Sequence, residues 1–339
     1  MINLRTIKKP FIIAEIGINH EGSLNKAKRL IHEAKKAGAD AVKFQVFKPF
    51  TLATKQSKKN KLQKKNSKKN ESLYKIWQKM ELKYNDLKKL RRLAKKLKIY
   101  FICSVFDIES LSKIKKLKID ALKIASSDIT DEYLQEYLSR QKKPIILSTG
   151  MSEKKEIISC LKNLKTKNIA ILHCVSLYPC EPKRANLKRI LSLKENFNHP
   201  IGYSDHCVGI SAVIMSITLG AQIIEKHFTL NKNKIGLDHK LSADPKDLKT
   251  VCDFAKNYKN LLGDKKINPS NYEKSFRKFF RKGVYFRRDI KKGKKILEED
   301  IIVRRPMNTT NPKDVKKIIS KISKKYFFEG DNVNKNSLK

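Results

Sequence analysis

The sequence predicts an α/β protein, a (β/α)8 TIM barrel followed by a small, separate β-rich C-terminal domain. Three observations lead there. Short β-prone apolar stretches alternate with helix-patterned stretches eight times over about 260 residues, close to the size typical of such barrels. Every one of those strands supplies a polar residue near its carboxyl end, the edge on which barrel enzymes build their sites. Beyond Leu261 the texture changes to short β-prone pieces with turn signals such as Lys292-Gly293. An open doubly wound sheet is the alternative arrangement of the same elements.

Residues 11–17 form the first strand, and a helix over 24–37 follows, ended by Gly38. The second strand is 41–46. Residues 48–72 are a long polar insertion containing KKNKLQKKNSKKN, expected to be a mobile, solvated basic loop, although long loops on this edge often cover active sites. A basic helix at 86–98 feeds a strand at 100–106, and 108–117 returns the chain to a strand at 121–126. The step repeats with 132–139 and 144–149, then 153–164 and 169–175, then a helix near 187–195 before 201–203. Residues 208–219 are small and apolar enough for a buried helix closed by Gly220; 223–228 is the eighth strand and 245–261 the last helix. The expected domains are the barrel at 1–262, a polar linker at 263–275 and the terminal domain at 276–339.

Composition narrows the class. The 339 residues hold 40% hydrophobic side chains, no apolar run long enough for a membrane span and no signal-peptide pattern, so a cytoplasmic protein without a membrane partner is expected. Six scattered cysteines lack any C-x-x-C pair and read as reduced thiols. Lysine and arginine number 77 against 33 acidic residues, a formal net charge of +44. The lysines are spread over nearly every helix without aromatic interleaving or a nucleic-acid motif, so compositional bias accounts for them and no specific nucleic acid is expected.

The strand ends carry the chemistry. They offer Glu15, Lys43 with Gln45, Ser104, Lys123 with Ser126 and Ser127, Ser148 with Thr149, His173 with Ser176 and Tyr178, Ser204 with His206, and His227. His206 and His227 leave successive parallel strands at the same edge, where two neutral imidazoles with open positions suit a catalytic divalent cation; the plainer reading is that each caps its strand. Lysines in apolar strands are costly unless paired with an anion. Lys43 and Lys123 with the surrounding hydroxyls suit a small phosphorylated, carboxylated ligand, unless they simply pair with Glu15 or Glu225.

At these residues the sequence resembles the N-acetylneuraminate (sialic acid) synthase family, with its legionaminic and pseudaminic acid relatives. AEIGINHEGS (14–23), GADAVKFQ (38–45), LKIASSD (122–128), PIILSTGM (144–151), GYSDH (202–206) and EKHFT (225–229) stand close to the family's motifs in order and spacing, and VRRP (303–306) lies in a part similar to its antifreeze-like (SAF) domain. The resemblance implies a metal-dependent condensation of phosphoenolpyruvate with an N-acylated amino sugar, N-acetylmannosamine or a 2,4-diacetamido hexose, giving a nine-carbon 2-keto acid and phosphate. Carried across, His206 and His227 are ligands of Mn²⁺, or of Mg²⁺ or Co²⁺, acting as Lewis acid on the sugar's aldehyde.

Lys43, Ser104, Lys123, Ser126, Ser148 and Ser204 then match phosphoenolpyruvate-binding positions, and Glu15 the essential carboxylate for proton transfer and cation stabilisation. Tyr178 and Asp238 match contacts to the sugar or to metal-bound water, and Arg305 an arginine that reaches the partner's site in a domain-exchanged homodimer. Ser176 stands where some members have asparagine, Asp128 where some have glutamate and Val105 where proline is usual, differences that bear on sugar choice. Met307-Asn308-Thr309-Thr310 replaces the glycine-rich turn expected after the terminal arginines. Two other readings remain open: a synthase acting on a sugar phosphate, and a basic nucleic-acid-binding barrel without catalysis.

Overall fold

The computed structural model describes residues 1–67 and 71–339 and divides into two compact units, Met1–Gly263 and Asp264–Lys339. In the first, eight parallel strands close into a barrel in sequence order: β1 Phe11–Gly17, β2 Ala41–Val46, β3 Tyr100–Val105, β4 Ala121–Ile124, β5 Ile145–Ser148, β6 Ile169–Cys174, β7 Ile201–Asp205 and β8 Ile223–His227. Closure rules out the open sheet. β1 pairs with both β2 and β8, which sets Glu15 opposite Lys43 on one side and His227 on the other.

The period of two along each strand sorts the side chains into an outer and an inner set. Outward residues such as Ile12, Val42, Phe44, Tyr203 and Ile224 pack with the helices in one continuous core. Inward residues form a second core that fills the barrel from below: Ile13, Ala41, Ile102, Ala121, Ile146, Ala170, Leu172 and Ile223. Two residues further along, the same inward rows become Glu15, Lys43, Ser104, Lys123, Ser148, Ser204 and Glu225, all buried. An apolar floor therefore lies under a polar mouth.

Local signals place the helices. Ser23 caps Leu24–Ala37 by accepting from the Lys26 amide, and Gly38 ends it in the left-handed region at φ 97°. Asp107 caps Ile108–Ile114 in the same way, and Asp244 with Asp247 forms a capping box at Pro245–Leu262.

The insertion departs from the expected solvated loop. It contains short helices at Pro49–Leu52 and Lys61–Asn66, and Leu73–Met80 follows it. Asn60 and Gln63 make a reciprocal capping box, Ser72 caps the last helix, and Trp77 packs edge-on against Phe47 at 5.4 Å. Caps and a few apolar anchors give order to a segment that composition alone labels as low-complexity; its residues 68–70 lie outside the described ones. Strand ends differ from expectation by a residue or two, as at β4, where the chain passes through Ala125 into a 3-10 turn at Ser126–Asp128.

In the second unit, β9 Gly283–Phe286 pairs antiparallel with β10 Ile301–Arg304 over a core that includes Val284, Phe286, Ile290, Ile296 and Phe327. From Asp264 onward the stretch read as a linker groups with this unit, and it carries a helix at Asn271–Ser275. Where a glycine-rich turn was expected, the Asn308 side chain docks on β9, accepting from the Val284 amide (3.2 Å) and donating to its carbonyl (2.5 Å). Among the described residues no helix is long and apolar enough to cross a membrane.

Gly202, on the inward row of β7, has no room for a side chain: a Cβ there would collide with the Ile223 carbonyl oxygen and with Leu172. Gly202→Ala is expected to lower stability by about 1–3 kcal/mol through displacement of β7 from β8. Urea unfolding of the two proteins checks this.

Candidate active site

The carboxyl ends of the strands surround a cavity of about 570 Å³. Twelve of the fourteen residues singled out from the sequence line it. On one side are Glu15, Lys43, Ser104, Lys123, Ser126, Ser148 and Ser204; on the other are Ser176, Tyr178, His206, His227 and Asp238.

The first group is organised by charge. Lys43 Nζ lies 3.0 Å from Glu15 Oε1 and 3.6 Å from Glu225 Oε1, and donates to Ser104 Oγ at 2.8 Å. Lys123 donates to Ser148 Oγ at 2.6 Å and sits 3.9 Å from the same Glu225 oxygen, which also accepts from Ser204 Oγ at 2.9 Å. Two ammonium groups and two carboxylates thus share one buried cluster, and pairing offsets a desolvation cost of several kcal/mol per ion.

Burial works to raise the Glu225 pKa, but Lys123 and Lys43 outweigh it and hold the carboxyl at about 2. Burial likewise works to lower Lys43, and Glu15 and Glu225 reverse it, so this lysine is held above its ordinary value. At Lys123 burial prevails, aided by Lys43, and the pKa is lowered in spite of Glu225. One oxygen each of Glu15 and Glu225 is buried without a hydrogen-bond partner.

Backbone shape opens this cradle. The β1–β2 register shifts between Glu15 and Gly17, where Gly17 takes φ 52° and leaves Glu15 Oε1 free to accept from Gln45 Nε2 at 3.0 Å. At Gly150 a Cβ would collide with the hydroxyls of Ser126 and Ser176, so the chain comes close enough for the Gly150 amide to donate to Ser126 Oγ at 2.9 Å.

The second group centres on the imidazoles. Their ring centroids are 5.3 Å apart, and Tyr178 lies 4.0 Å from His206 and 6.1 Å from His227. His206 Nδ1 donates to the Val175 carbonyl at 2.7 Å, which leaves Nε2 as a lone-pair donor. His227 Nδ1 is buried without a hydrogen-bond partner, although Asp238 Oδ2 is 3.3 Å away. Among the described residues no cluster of three or more side chains forms a ready-made metal cage. Two imidazoles beside a carboxylate, one of them with an orphaned ring nitrogen, fit a cation whose remaining positions are filled by water or substrate oxygen.

Two of the singled-out residues lie elsewhere. Asp128 sits just past β4 outside the cavity lining, its Oδ1 accepting from Ser127 at 2.8 Å and its Oδ2 buried without a partner. Arg305 belongs to the second unit, exposed, with its guanidinium 5.7 Å from the Phe280 ring centroid. His173, noted at a strand end, faces outward, stacked on Tyr203 with Nε2 2.7 Å from the Ala185 carbonyl.

The sequence places Gln45 at a strand end without a ligand role and offers Glu225 only as a partner for the lysines, a pairing that both Lys43 and Lys123 make. The signal for a place on the lining was available, since Glu225 stands two residues before His227 and Gln45 two after Lys43, each on the same inward row. The wall supplied by Leu52, Asn60, Leu62, Gln63, Asn66 and Trp77 had no comparable signal. Asn66 crosses the mouth to donate to the Tyr178 carbonyl at 3.4 Å.

A barrel with this polar mouth is the frame of an enzyme, and comparison with known proteins agrees. The family model described as NeuB family matches residues 30–267, and the SAF domain model residues 281–339. The chain belongs to the NeuB family. It is 38% identical over 330 residues to N,N'-diacetyllegionaminic acid synthase of Campylobacter jejuni, spanning 96% of this chain and 99% of that one. Pseudaminic acid synthase of Helicobacter pylori is 34% identical, spanning 94% of this chain and 95% of its own. Among solved structures, N-acetylneuraminic acid synthetase of Leptospira borgpetersenii in complex with citrate aligns with a TM-score of 0.70 at 33% identity, covering 79% of this chain and 90% of that one.

Burial raises the Asp128 pKa to about 6, against the Ser127 hydrogen bond, which lowers it. A carboxyl raised above its ordinary value of 3.8 adds stability that is fully present below pH 3.8 and is lost as pH rises through about 6. Asp128→Asn, which keeps the acceptor for Ser127, is therefore expected to match the natural protein below pH 4 and to melt roughly 2–4 °C higher at pH 8. Thermal unfolding at both pH values checks it.

Proposed function

We propose that the chain condenses phosphoenolpyruvate with an N-acylated amino sugar, in a reaction requiring a divalent metal ion, to give a nine-carbon 2-keto acid and phosphate. One observation carries the reading: a lysine and serine cradle and a pair of open imidazoles face each other across one cavity. The names of the relatives, synthases of legionaminic, pseudaminic and N-acetylneuraminic acids, support it.

Lys43 and Lys123, with Ser104, Ser126 and Ser148, would bind the carboxylate and phosphate of phosphoenolpyruvate through charge-assisted hydrogen bonds. In the condensation, C3 of phosphoenolpyruvate forms a bond to the sugar's aldehyde carbon, whose oxygen takes up a proton. The positive charge left at C2 is met by water, and breaking of the C2–O bond releases phosphate and leaves the ketone. Glu15, with one oxygen shared by Lys43 and Gln45 and the other without a partner, is placed to face that charge and to take the water's proton. His206 and His227 would hold the metal ion, with Asp238 beside them; Mn²⁺, Mg²⁺ or Co²⁺ suits two imidazoles with oxygen ligands. Bound there, the ion would supply Lewis-acid polarisation of the aldehyde.

The acceptor is read as uncharged. Among the described residues Lys43 and Lys123 are the only lysine or arginine side chains on the lining, and phosphoenolpyruvate engages both. The wall facing them offers amides and apolar groups from Asn60, Leu62, Gln63, Asn66 and Trp77, suited to an N-acyl sugar more than to a sugar phosphate. We further propose a homodimer in which Arg305 of one subunit meets the sugar's acyl group in the other.

Phosphate release from phosphoenolpyruvate with Mn²⁺ tests the proposal on a panel of N-acetylmannosamine, 2,4-diacetamido hexoses and arabinose 5-phosphate. Turnover of one N-acyl sugar is expected, abolished by EDTA and by His227→Ala. Lys123→Met is expected to raise KM for phosphoenolpyruvate at least about tenfold, as loss of a charge-assisted contact worth 1.5–3 kcal/mol implies. Turnover of arabinose 5-phosphate alone would replace the acceptor; turnover that persists in EDTA would remove the metal from the reaction.

A further inference from the structure

Behind the two imidazoles, on the outer face of the barrel, lies a second buried charge pair that no step above uses. Asp205 and Lys226 are both fully buried, with Lys226 Nζ 2.6 Å from Asp205 Oδ2. They are register partners at the ends of β7 and β8, and each immediately precedes one of the histidines. Because side chains alternate along a strand, the pair points away from the cavity while Ser204 and His206, and Glu225 and His227, line it.

We propose that Asp205 and Lys226 are positioning residues for the metal-binding imidazoles, fixing the separation and direction of His206 and His227. The inference rests on the metal reading given above. Its support is the set of bonds the pair makes around His206. Asp205 Oδ1 accepts from the Cys207 amide at 2.9 Å, and Lys226 Nζ donates to the Cys207 carbonyl at 2.5 Å. The residue after His206 is thus held through both its backbone groups, by the residue before His206 and by the residue before His227. Tyr203 adds its hydroxyl to the same Asp205 oxygen at 2.9 Å and stacks on His173, itself 2.7 Å from the Ala185 carbonyl.

Stability does not call for this arrangement. The strands are already joined by a ladder running from Gly202 with Ile223 to Asp205 with Lys226, and the outer face around it is apolar, with Ile201, Ile224 and Val213 in the core. Apolar residues of similar volume at 205 and 226 would serve packing as well or better, since a buried ion pair bears a desolvation cost that its attraction scarcely offsets. An ion pair gives direction, which apolar contact does not. Partners that orient metal ligands in this way typically account for 10–100-fold in metal affinity.

The test compares four full-length proteins: the natural chain, the double variant Asp205→Asn/Lys226→Met, which leaves no unpaired buried charge, Tyr203→Phe, which removes the hydroxyl bonded to Asp205, and Lys226→Arg. Mn²⁺ affinity is measured without substrate from the free-ion electron paramagnetic resonance signal, and phosphoenolpyruvate affinity by calorimetry in EDTA. Circular dichroism and thermal unfolding establish that each variant is folded. The expected result is Mn²⁺ affinity about 10–100-fold weaker in the double variant and up to about fivefold weaker in Tyr203→Phe. Phosphoenolpyruvate affinity, set by the lysine cradle, should stay within about twofold. Lys226→Arg, which keeps the charge pair, should recover most of the Mn²⁺ affinity. If folded Tyr203→Phe and the folded double variant both bind Mn²⁺ like the natural chain, the pair is structural and the proposal is overturned. A natural chain that turns over in EDTA and binds no divalent ion would instead overturn the metal reading on which the proposal stands.

Discussion

Four charges buried in the barrel mouth constrain the rest of the site. Glu15, Lys43, Lys123 and Glu225 come from four strands, and each is tolerable away from water only because an opposite charge of the group lies within 3.9 Å. Such a cluster cannot be assembled piecemeal. It requires β1 beside both β2 and β8, and so it requires the barrel to close. The closure that buries the apolar floor also brings the charges into reach of one another, and the same geometry makes the cradle balanced in charge until a ligand anion enters it.

The two halves of the cavity are built on different principles. The lysine side is electrostatic, with hydroxyls tuning charges that already compensate one another. The imidazole side is held by directional bonds, from the Val175 carbonyl to His206 and from the Asp205–Lys226 pair to the backbone beyond it. The condensation proposed above draws on both, one to hold charge and the other to aim groups at a carbonyl.

The barrel was legible in the sequence because its periodicities are strong: β1 and β2 stand where the pattern puts them, and most strand-end residues, though not His173 or Thr149, fall into one cavity because period two leaves little freedom once the strands are parallel. Glu225 and the Asp205–Lys226 pair were harder to assign, since a charged residue in a strand looks alike whether it faces a ligand or another side chain. The insertion was read as a solvated loop because composition records its lysines and misses its caps; Asn60 with Gln63 and the packing of Trp77 are pair relations. Asp128 was carried in by motif alone, and a 3-10 turn past β4 takes it off the lining.

The alternation of inward and outward rows has a consequence for how such a protein can change. A shift of one residue at the end of β7 or β8 would send an imidazole into the helical layer and an ion-pair member into the cavity. The reacting half is therefore written in a frame that tolerates substitution and forbids slippage. The helix-bearing segment after β2, which reaches across the mouth through Asn66 to the Tyr178 carbonyl, is not part of that frame. Lengthening, shortening or resequencing it alters one wall and leaves the charges and imidazoles where they are, so a lineage changing its acceptor has its freedom there.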